Sequence, residues 1–364
     1  MKQKLLIYGA GAIGRGFIPR VFPPKQYLYY YVEANKTLCT ALNKYKQFTN
    51  LKTIKGKYEK MIVTVQHCYT PGKETSLINQ VDAIITAVGP RNVLAVAENL
   101  KGISTPVICC ENDSSVPSLI SAVTKNTHVF FAIPDVITSN TAPATWLKQD
   151  PFTIITEDGV CYIDKRARHL GGNACYLGER DLEQQWQAKL YLHNTPHCIA
   201  AYLGSKISAH YLHEAMHHKK IRTIVAGAMQ EMKYLLIKKF KIKKAFIDWY
   251  AHKELRRFSN TLLYDPISRV AREPFRKLAP NERLIGAAEL CLANGIVPKN
   301  ILLGIMAAFL YDNPKDPDAN IRYLIHALQP NEFLTIAMQL KPLSALYELL
   351  LARWSYNDKI LRSL

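Results

Sequence analysis

The sequence predicts an α/β domain built on a parallel sheet, followed by a mainly α-helical domain. Short apolar runs recur through the first half of the chain with helical patterns between them, and a glycine-rich segment follows the first run. Beyond about residue 182 long helical periodicities dominate. Strands that are apolar throughout are typical of a parallel sheet covered on both faces. We therefore expect two domains, at residues 1–183 and 184–364.

Six apolar runs predict the strands of the sheet, and they lie at residues 4–8, 27–33, 61–65, 83–88, 107–110 and 129–132. Two further runs, residues 152–156 and 160–164, flank the short segment Glu157-Asp158-Gly159. A short turn between two such runs predicts an antiparallel hairpin appended to the sheet.

The chain is strongly basic, with 47 Lys and Arg against 29 Asp and Glu and a formal net charge of +18. This charge attracts either a small anionic ligand or nucleic acid. The densest basic run, residues 237–244, interleaves lysines with apolar residues, which is more typical of a solvated helix face than of a nucleic-acid-binding patch. We expect a small anionic substrate and no nucleic acid.

The cysteines and the apolar runs indicate where the protein works. Eight cysteines form no Cys-x-x-Cys pair, which favours free thiols in a reducing compartment. No apolar run is long enough to span a bilayer, and the first residues lead into a strand. We expect a cytoplasmic protein without a membrane partner.

Residues 9–14, Gly9-Ala10-Gly11-Ala12-Ile13-Gly14, form a G-x-G-x-x-G segment between a predicted strand and a predicted helix. The first glycine permits a tight turn, the second lets a pyrophosphate approach, and the third lets helix and strand pack closely. The helix N-terminus supplies N–H groups for the anion. The segment predicts a Rossmann-type cofactor domain that binds NAD through Gly9, Ala10, Gly11, Ile13 and Gly14.

Glu33 ends the second predicted strand, about twenty residues beyond the glycine loop. An acid there accepts hydrogen bonds from the adenosine ribose hydroxyls and repels the 2′-phosphate of NADP, so NAD is the expected cofactor. Arg15 extends the loop, where it could contact a phosphate or lie on the surface.

Lys189, Asn194 and His197 form a K-x-x-x-x-N-x-x-H pattern in the second half of the chain. An enzyme that oxidises an alcohol needs a base for the hydroxyl proton and donors for the developing oxyanion. The spacing alone favours ordinary roles for these residues: a surface lysine, a capping asparagine and a hydrogen-bonded histidine.

Pro196 is suited to the first turn of a helix. Asn194 or Thr195 would then cap this helix, and Gly204 would end it. Asn194 and His197 would lie at the positive end of the helix, which favours an oxyanion and a neutral histidine.

Several longer motifs are spread over both domains: residues 9–17, Thr86-Ala-Val-Gly-Pro90, Cys110-Glu111-Asn112, the Lys189 to His197 pattern with Ala201-Tyr-Leu-Gly204, residues 269–278 and residues 281–285. On these motifs, residues 1–320 resemble the long-chain polyol dehydrogenases, the mannitol dehydrogenase family. The resemblance implies NAD-dependent interconversion of a hexitol phosphate and a ketose phosphate, or turnover of a free polyol or a sugar acid.

The resemblance also implies roles for particular residues. Lys189 is expected to be the general base, Asn194 and Asn112 the oxyanion donors, and His197 a residue that orients the substrate. Val88 is expected beside the cofactor. The family implies no metal and a monomer.

The anionic end of the substrate is expected near three arginines. Arg269 and Arg272 match a family segment close to the substrate, although a structural salt bridge explains them equally well. Arg15 is a further candidate. Residues 133–141 lack the arginine common in the corresponding family segment, which leaves the exact polyol open.

A rival interpretation comes from His213-Glu214-Ala215-Met216-His217, which matches the H-E-x-x-H pattern of zinc metalloproteases. The match falls inside the stretch that resembles the dehydrogenases, so we expect it to be fortuitous. A relative that binds NAD without turnover is a second rival, and Lys189, Asn194, Asn112 and His197 argue against it.

Overall fold

The computed structural model describes residues 1–354 and 363–364. The chain divides into two compact units, residues 1–186 and 187–364. This boundary lies within the helix Glu179–Ala188, which also contains the predicted boundary between residues 183 and 184. No linker marks it in the sequence because the chain is helical there.

The first unit is built on one sheet. Its strands are β1 (Gln3–Tyr8), β2 (Tyr27–Val32), β3 (Gln47–Ile54), β4 (Lys57–Tyr69), β5 (Ala83–Thr86), β6 (Val107–Cys109), β7 (Val129–Asp135), β8 (Thr138–Ser139), β9 (Ile154–Glu157), β10 (Val160–Asp164) and β11 (Cys175–Leu177). Their order is β11-β10-β7-β6-β5-β1-β2-β4-β3-β9-β8. The central strands, from β7 across to β4, pair in parallel. The predicted parallel sheet is confirmed.

The central strands are apolar throughout because both faces of the sheet are covered. In β1, Leu5 and Ile7 belong to one buried core. Leu6 and Tyr8 point to the opposite side and belong to a second core. Alternate residues of a strand point to opposite faces, so each face of β1 packs in its own apolar layer.

The predicted hairpin at residues 152–164 is wrong. β9 pairs with β3 and β8, whereas β10 pairs with β7 and β11, so the two strands do not pair with each other. Gly159 lies so close to residue 136 that a Cβ there would be 2.6 Å from the Val136 Cβ. The connection therefore passes tightly against the end of β7 instead of folding β10 back onto β9.

Helices complete the first unit. They are a π-helical turn Ala12–Phe17 continued by Ile18–Val21, then Lys36–Tyr45, Thr75–Ile78, Pro90–Asn92, Val93–Asn99, Val116–Thr124, Ala144–Gln149, Lys165–Leu170 and Glu179–Ala188. The two short segments Pro90–Asn92 and Lys165–Leu170 are 3₁₀ turns.

The second unit is mainly helical, as predicted. Its helices are Lys189–Asn194, Thr195–Lys206, Leu212–His217, Lys219–Lys238, Lys244–Phe258, Ile267–Ala271, Pro274–Leu278, Ile285–Ala293, Lys299–Phe309, Ile321–Ala327, Pro330–Glu332, Phe333–Ala337 and Ala345–Ala352. Within the described part of the chain, no helix has both the length and the apolar character to cross a bilayer. All eight cysteines are free thiols, and only Cys175 is exposed.

Candidate active site

The glycine loop follows β1 directly, and each of its three glycines has a different reason to be glycine. Gly9 has φ +95°, and a Cβ there would collide with the carbonyl oxygen of Ala87. A Cβ on Gly14 would collide with the carbonyl oxygen of Gly9. A Cβ on Gly11 would meet no atom within 4 Å. Gly9 and Gly14 are therefore required by packing, whereas Gly11 borders open space at the start of a helix.

Glu33 lies directly after β2 and is fixed against this loop. Its Oε2 accepts a hydrogen bond from the Ala10 N–H at 2.9 Å, and its Oε1 accepts one from the Asn35 N–H at 2.8 Å. Gly11 is open on one side, a helix starts at Ala12, and the Glu33 carboxylate lies beside the loop. This arrangement fits the pyrophosphate and ribose of a dinucleotide.

A second loop at the same end of the parallel strands contains Val88. Val88 N–H and Gly89 N–H donate to the two carboxylate oxygens of Glu111, at 2.9 and 2.8 Å. Burial raises the pKa of Glu111, although these two N–H groups act in the opposite direction. Glu111 therefore holds the loop after β5, and Asn112 follows it in the chain. Glu111 was not among the predicted site residues, although it lies within the Cys110-Glu111-Asn112 motif.

Arg15 is buried, with 5% of its surface exposed. Its Nε donates to the Ala10 carbonyl at 2.5 Å and its Nη1 to the Phe152 carbonyl at 2.9 Å. The guanidinium also lies 5.6 Å from the centre of the Phe48 ring. Arg15 therefore holds the glycine loop in place. Its contact with substrate stays a prediction.

In the second unit, Lys189–Asn194 forms a π-helical turn between the helices Glu179–Ala188 and Thr195–Lys206. Pro196 explains this turn. In an α-helix, proline lacks the N–H for the hydrogen bond, and its ring collides with the carbonyl four residues earlier. A wider π turn just before the proline removes this collision and lets the helix continue.

The continuous helix corrects the predicted caps. Asn194 has helical angles, φ −64° and ψ −38°, and its side chain makes no capping hydrogen bond. Asn194 therefore lies within a continuous helical stretch and not at a free helix N-terminus. Gly204 lies inside the helix, which ends at Lys206, and a Cβ on Gly204 would be 2.7 Å from the Ala215 Cβ. Gly204 is thus required by close packing.

Lys189, Asn194 and His197 are all buried, with 7%, 6% and 9% of their surfaces exposed. A solvated surface lysine, the alternative that spacing favoured, does not fit this burial. The π turn brings the three residues into one buried helical stretch. Bulges of this type are frequent at functional sites.

His197 is oriented by Asp265, which the sequence did not single out. The Nε2 of His197 lies 3.0 Å from Asp265 Oδ2, and the ring stacks on Phe258 with 5.1 Å between centres. Burial lowers the pKa of His197, so the ring is neutral at neutral pH. Although burial raises the pKa of Asp265, Arg269 and His197 outweigh it and hold that pKa below its usual range. Asp265 is therefore ionised, His197 donates from Nε2–H, and its Nδ1 is an acceptor.

His193 is a second histidine that the sequence interpretation missed. Its Nδ1 lies 2.5 Å from Oε2 of the fully buried Glu254. Glu254 also pairs with Arg257, and with Lys253 at 3.3 Å. The ring centres of His193 and His197 are 4.8 Å apart. His193 and His197 are four residues apart, so the sequence could have suggested that they lie on the same face of a helix. No local pattern indicated Glu254 as the partner of His193.

The two C-terminal arginine candidates differ. Arg269 donates from Nε to Asp265 Oδ1 at 2.9 Å, so the salt bridge considered for it is present. Arg272 is more exposed, with 60% of its side-chain surface accessible, and its Nη2 lies 3.3 Å from Glu273 Oε1. Anion binding by either residue stays a prediction.

Glu214 of the H-E-x-x-H pattern is used as a helix cap. Its Oε2 accepts from the backbone N–H groups of His210 at 2.8 Å and Tyr211 at 3.2 Å. His217 contacts the His213 carbonyl at 2.7 Å through Nδ1. Glu214 is thus part of a capping box at the start of the helix Leu212–His217.

Lys277 is buried in the second unit, with 4% of its surface exposed. Burial first, and then Arg283 and Arg276, lower its pKa from 10.5 to about 7. Between these values the unfolded chain carries a proton on this lysine that the folded chain lacks, so folding stability rises with pH. Below pH 7 the lysine is protonated in both the folded and the unfolded chain. The destabilisation caused by burying its charge then has its full value and does not change with pH.

We therefore expect Lys277→Met to remove a rise of about 1.4 kcal/mol per pH unit in the free energy of unfolding between pH 7.5 and 9.5. Urea denaturation of both proteins across that range measures it. Parallel pH curves would show that Lys277 does not lose its proton on folding.

The strand order, the glycine loop and Glu33 define the first unit as a dinucleotide-binding Rossmann domain. Two family models match the chain: the mannitol dehydrogenase Rossmann domain over residues 3–169 and the mannitol dehydrogenase C-terminal domain over residues 181–335. The chain belongs to the mannitol dehydrogenase family. The resemblance and fold class predicted from the sequence are confirmed.

Curated relatives cover most of the chain. A mannitol-1-phosphate 5-dehydrogenase from Thermoanaerobacter pseudethanolicus is 33% identical over 343 residues, 87% of this chain and 88% of the relative. The Bacillus subtilis protein of the same name is 30% identical, covering 86% and 89%. A solved Pseudomonas fluorescens mannitol 2-dehydrogenase, in complex with NAD and D-mannitol, superimposes with a TM-score of 0.78. The two sequences are 15% identical, and the superposition covers all of this chain and 92% of the mannitol 2-dehydrogenase chain. This similarity shows a shared fold.

Proposed function

We propose that the protein catalyses the NAD-dependent interconversion of mannitol 1-phosphate and fructose 6-phosphate. The observation that carries this proposal is the buried stretch Lys189–Asn194 with His197, in a chain that also has a dinucleotide loop. Relatives named mannitol-1-phosphate 5-dehydrogenase, 30–33% identical over most of the chain, support this substrate.

Bound NAD supplies the acceptor for the hydride that leaves the carbinol carbon. Gly11 would leave room for the pyrophosphate at the start of the helix, and the carboxylate of Glu33 would accept hydrogen bonds from the adenosine ribose. Glu111 keeps the loop with Val88 and Gly89 in its conformation, so a bound cofactor would meet a preformed surface.

The residues of the second unit handle the proton and the oxygen. Lys189, as a neutral amine, accepts the hydroxyl proton while the hydride leaves. Asn194 donates a hydrogen bond to the oxygen as it becomes a carbonyl. His197 accepts a hydrogen bond from a neighbouring substrate hydroxyl through Nδ1, because Asp265 holds its Nε2–H. The oxyanion role of Asn112 stays a prediction.

Glu33 predicts the cofactor preference. NAD is expected to bind at least tenfold more tightly than NADP, because the 2′-phosphate would face the carboxylate. The variant Glu33→Gln removes that charge and should reduce the preference. Titrations followed by protein fluorescence measure both affinities. Equal affinities in the unaltered protein would remove Glu33 from the cofactor site.

The net charge of +18 predicts the substrate preference. Mannitol 1-phosphate is expected to have a higher kcat/KM than free mannitol, and added salt should reduce this advantage by screening. Initial rates over a salt series, with polyols, polyol phosphates and sugar acids compared, test this. A better substrate among the free polyols or sugar acids would replace the phosphorylated one.

A further inference from the structure

Arg283 is a buried cation with an unsatisfied N–H group. It is 6% exposed, and its Nε donates to Glu282 Oε2 at 3.0 Å. Its Nη2 is buried without a hydrogen-bond partner among the residues that the structure describes. Buried polar groups are nearly always hydrogen-bonded, so a buried guanidinium in this state indicates an acceptor outside the described residues, such as a bound anion.

The main chain of Arg283 is hydrogen-bonded to Thr195, which lies between Asn194 and His197. Its carbonyl oxygen accepts a hydrogen bond from Thr195 Oγ1 at 2.8 Å. Thr195 is fully buried, follows Asn194 directly and precedes His197 by two residues. Arg283 is therefore fixed to the turn of helix that carries two of the proposed active-site residues.

Charged side chains of both signs surround Arg283. Arg276 and the buried Lys277 lie close by, and Glu273 and Glu282 are the acids that pair with this group. Glu282 is shared, because it also lies 3.7 Å from Arg276. Burial, Arg283 and Arg276 lower the pKa of Lys277 to about 7, against the opposing effects of Cys198 and Glu273. At Lys277, therefore, the two arginines act more strongly than Glu273, and a positive potential of this kind favours an anion.

Tyr202 supplies a second unsatisfied donor near Arg283. Its hydroxyl is buried and has no hydrogen-bond partner in the described part of the chain. Burial raises its pKa well above the usual range, and Arg283 is close enough to oppose that shift. Tyr202 lies on the helix Thr195–Lys206, as do Thr195 and Cys198.

We propose that Arg283 binds the phosphate group of the substrate and selects phosphorylated over free polyols. This inference rests on the proposed function. A guanidinium presents N–H groups in a planar fork that matches the oxygens of a phosphomonoester dianion. Arg269, considered earlier for this role, is instead paired with Asp265, and Arg272 is largely exposed beside Glu273.

The test compares Arg283→Met with Arg222→Met, which removes the same charge from an exposed position. For Arg283→Met we expect about a 100-fold loss of kcat/KM for mannitol 1-phosphate and less than a threefold change for free mannitol. Arg222→Met should change neither. An equal loss for both polyols, or no loss for the phosphate, would overturn the proposal.

Binding of inorganic phosphate tests the site without turnover and without relying on one variant. With NAD present at saturation, calorimetry should detect phosphate binding to the unaltered protein, at least tenfold weaker binding to Arg283→Lys, and unchanged binding to Arg222→Met. Equal phosphate binding to Arg283→Lys, or none to the unaltered protein, would overturn the site. If no polyol is oxidised but phosphate binding still depends on Arg283, the proposed function fails and the anion site stands.

Discussion

Replacing Lys189 with alanine is expected to lower kcat for polyol phosphate oxidation by about two to four powers of ten. The side chain is buried on the π turn Lys189–Asn194, and its amine is the proposed proton acceptor. NAD affinity should be unchanged, because the glycine loop and Glu33 belong to the first unit. Stopped-flow measurement of NADH formation and a fluorescence titration with NAD test these two expectations separately.

Lys206→Ala is the matched control, since Lys206 lies exposed at the end of the same helical stretch. It should oxidise the substrate at the normal rate. The unaltered enzyme should become faster as pH rises, because only a neutral lysine accepts a proton, and small added amines should restore part of the Lys189→Ala activity. A folded Lys189→Ala protein with a near-normal rate would remove Lys189 from the reaction.

Alanine at Gly11 and alanine at Gly14 are expected to have different consequences. At Gly11 the added methyl group meets no protein atom within 4 Å, so stability should be kept while NAD affinity falls at least tenfold. At Gly14 the methyl group collides with the Gly9 carbonyl, so stability and NAD affinity should both fall. Thermal unfolding without ligand and titration with NAD measure the two effects.

Gly178→Ala is the control for this pair, because its Cβ would make only ordinary contact, 3.9 Å from Lys165 Nζ. It should leave NAD affinity unchanged. Gly11→Ala with full NAD affinity would show that the cofactor does not approach the loop at Gly11. A stable Gly14→Ala protein would show that the close packing at Gly14 can relax.

The parallel sheet and the cofactor loop were predictable because local pattern determines them. Apolar runs such as β1 must be buried on both faces, and the glycine spacing has a steric meaning at Gly9 and Gly14. Glu33 was predictable for the same reason, since its distance from the loop follows from the length of the first helix and second strand. Assigning Lys189 needed the family resemblance, because its spacing alone favoured a surface residue.

Features that depend on distant partners were not predictable. The partners of His197 and His193 are Asp265 and Glu254, 68 and 61 residues away. The hairpin prediction was wrong because the local pattern of β9 and β10 indicates two strands but does not indicate which strands they pair with. Pro196 was interpreted as a helix start, since a π turn that accommodates proline has no sequence signal of its own.

Product analysis with the purified protein tests the central claim most directly. Incubation with NAD and mannitol 1-phosphate should form NADH and fructose 6-phosphate in equal amounts, with little product from NADP or from free mannitol. Absence of both products, or faster turnover of a sugar acid or an unphosphorylated polyol, would contradict the proposal that this chain is a hexitol phosphate dehydrogenase.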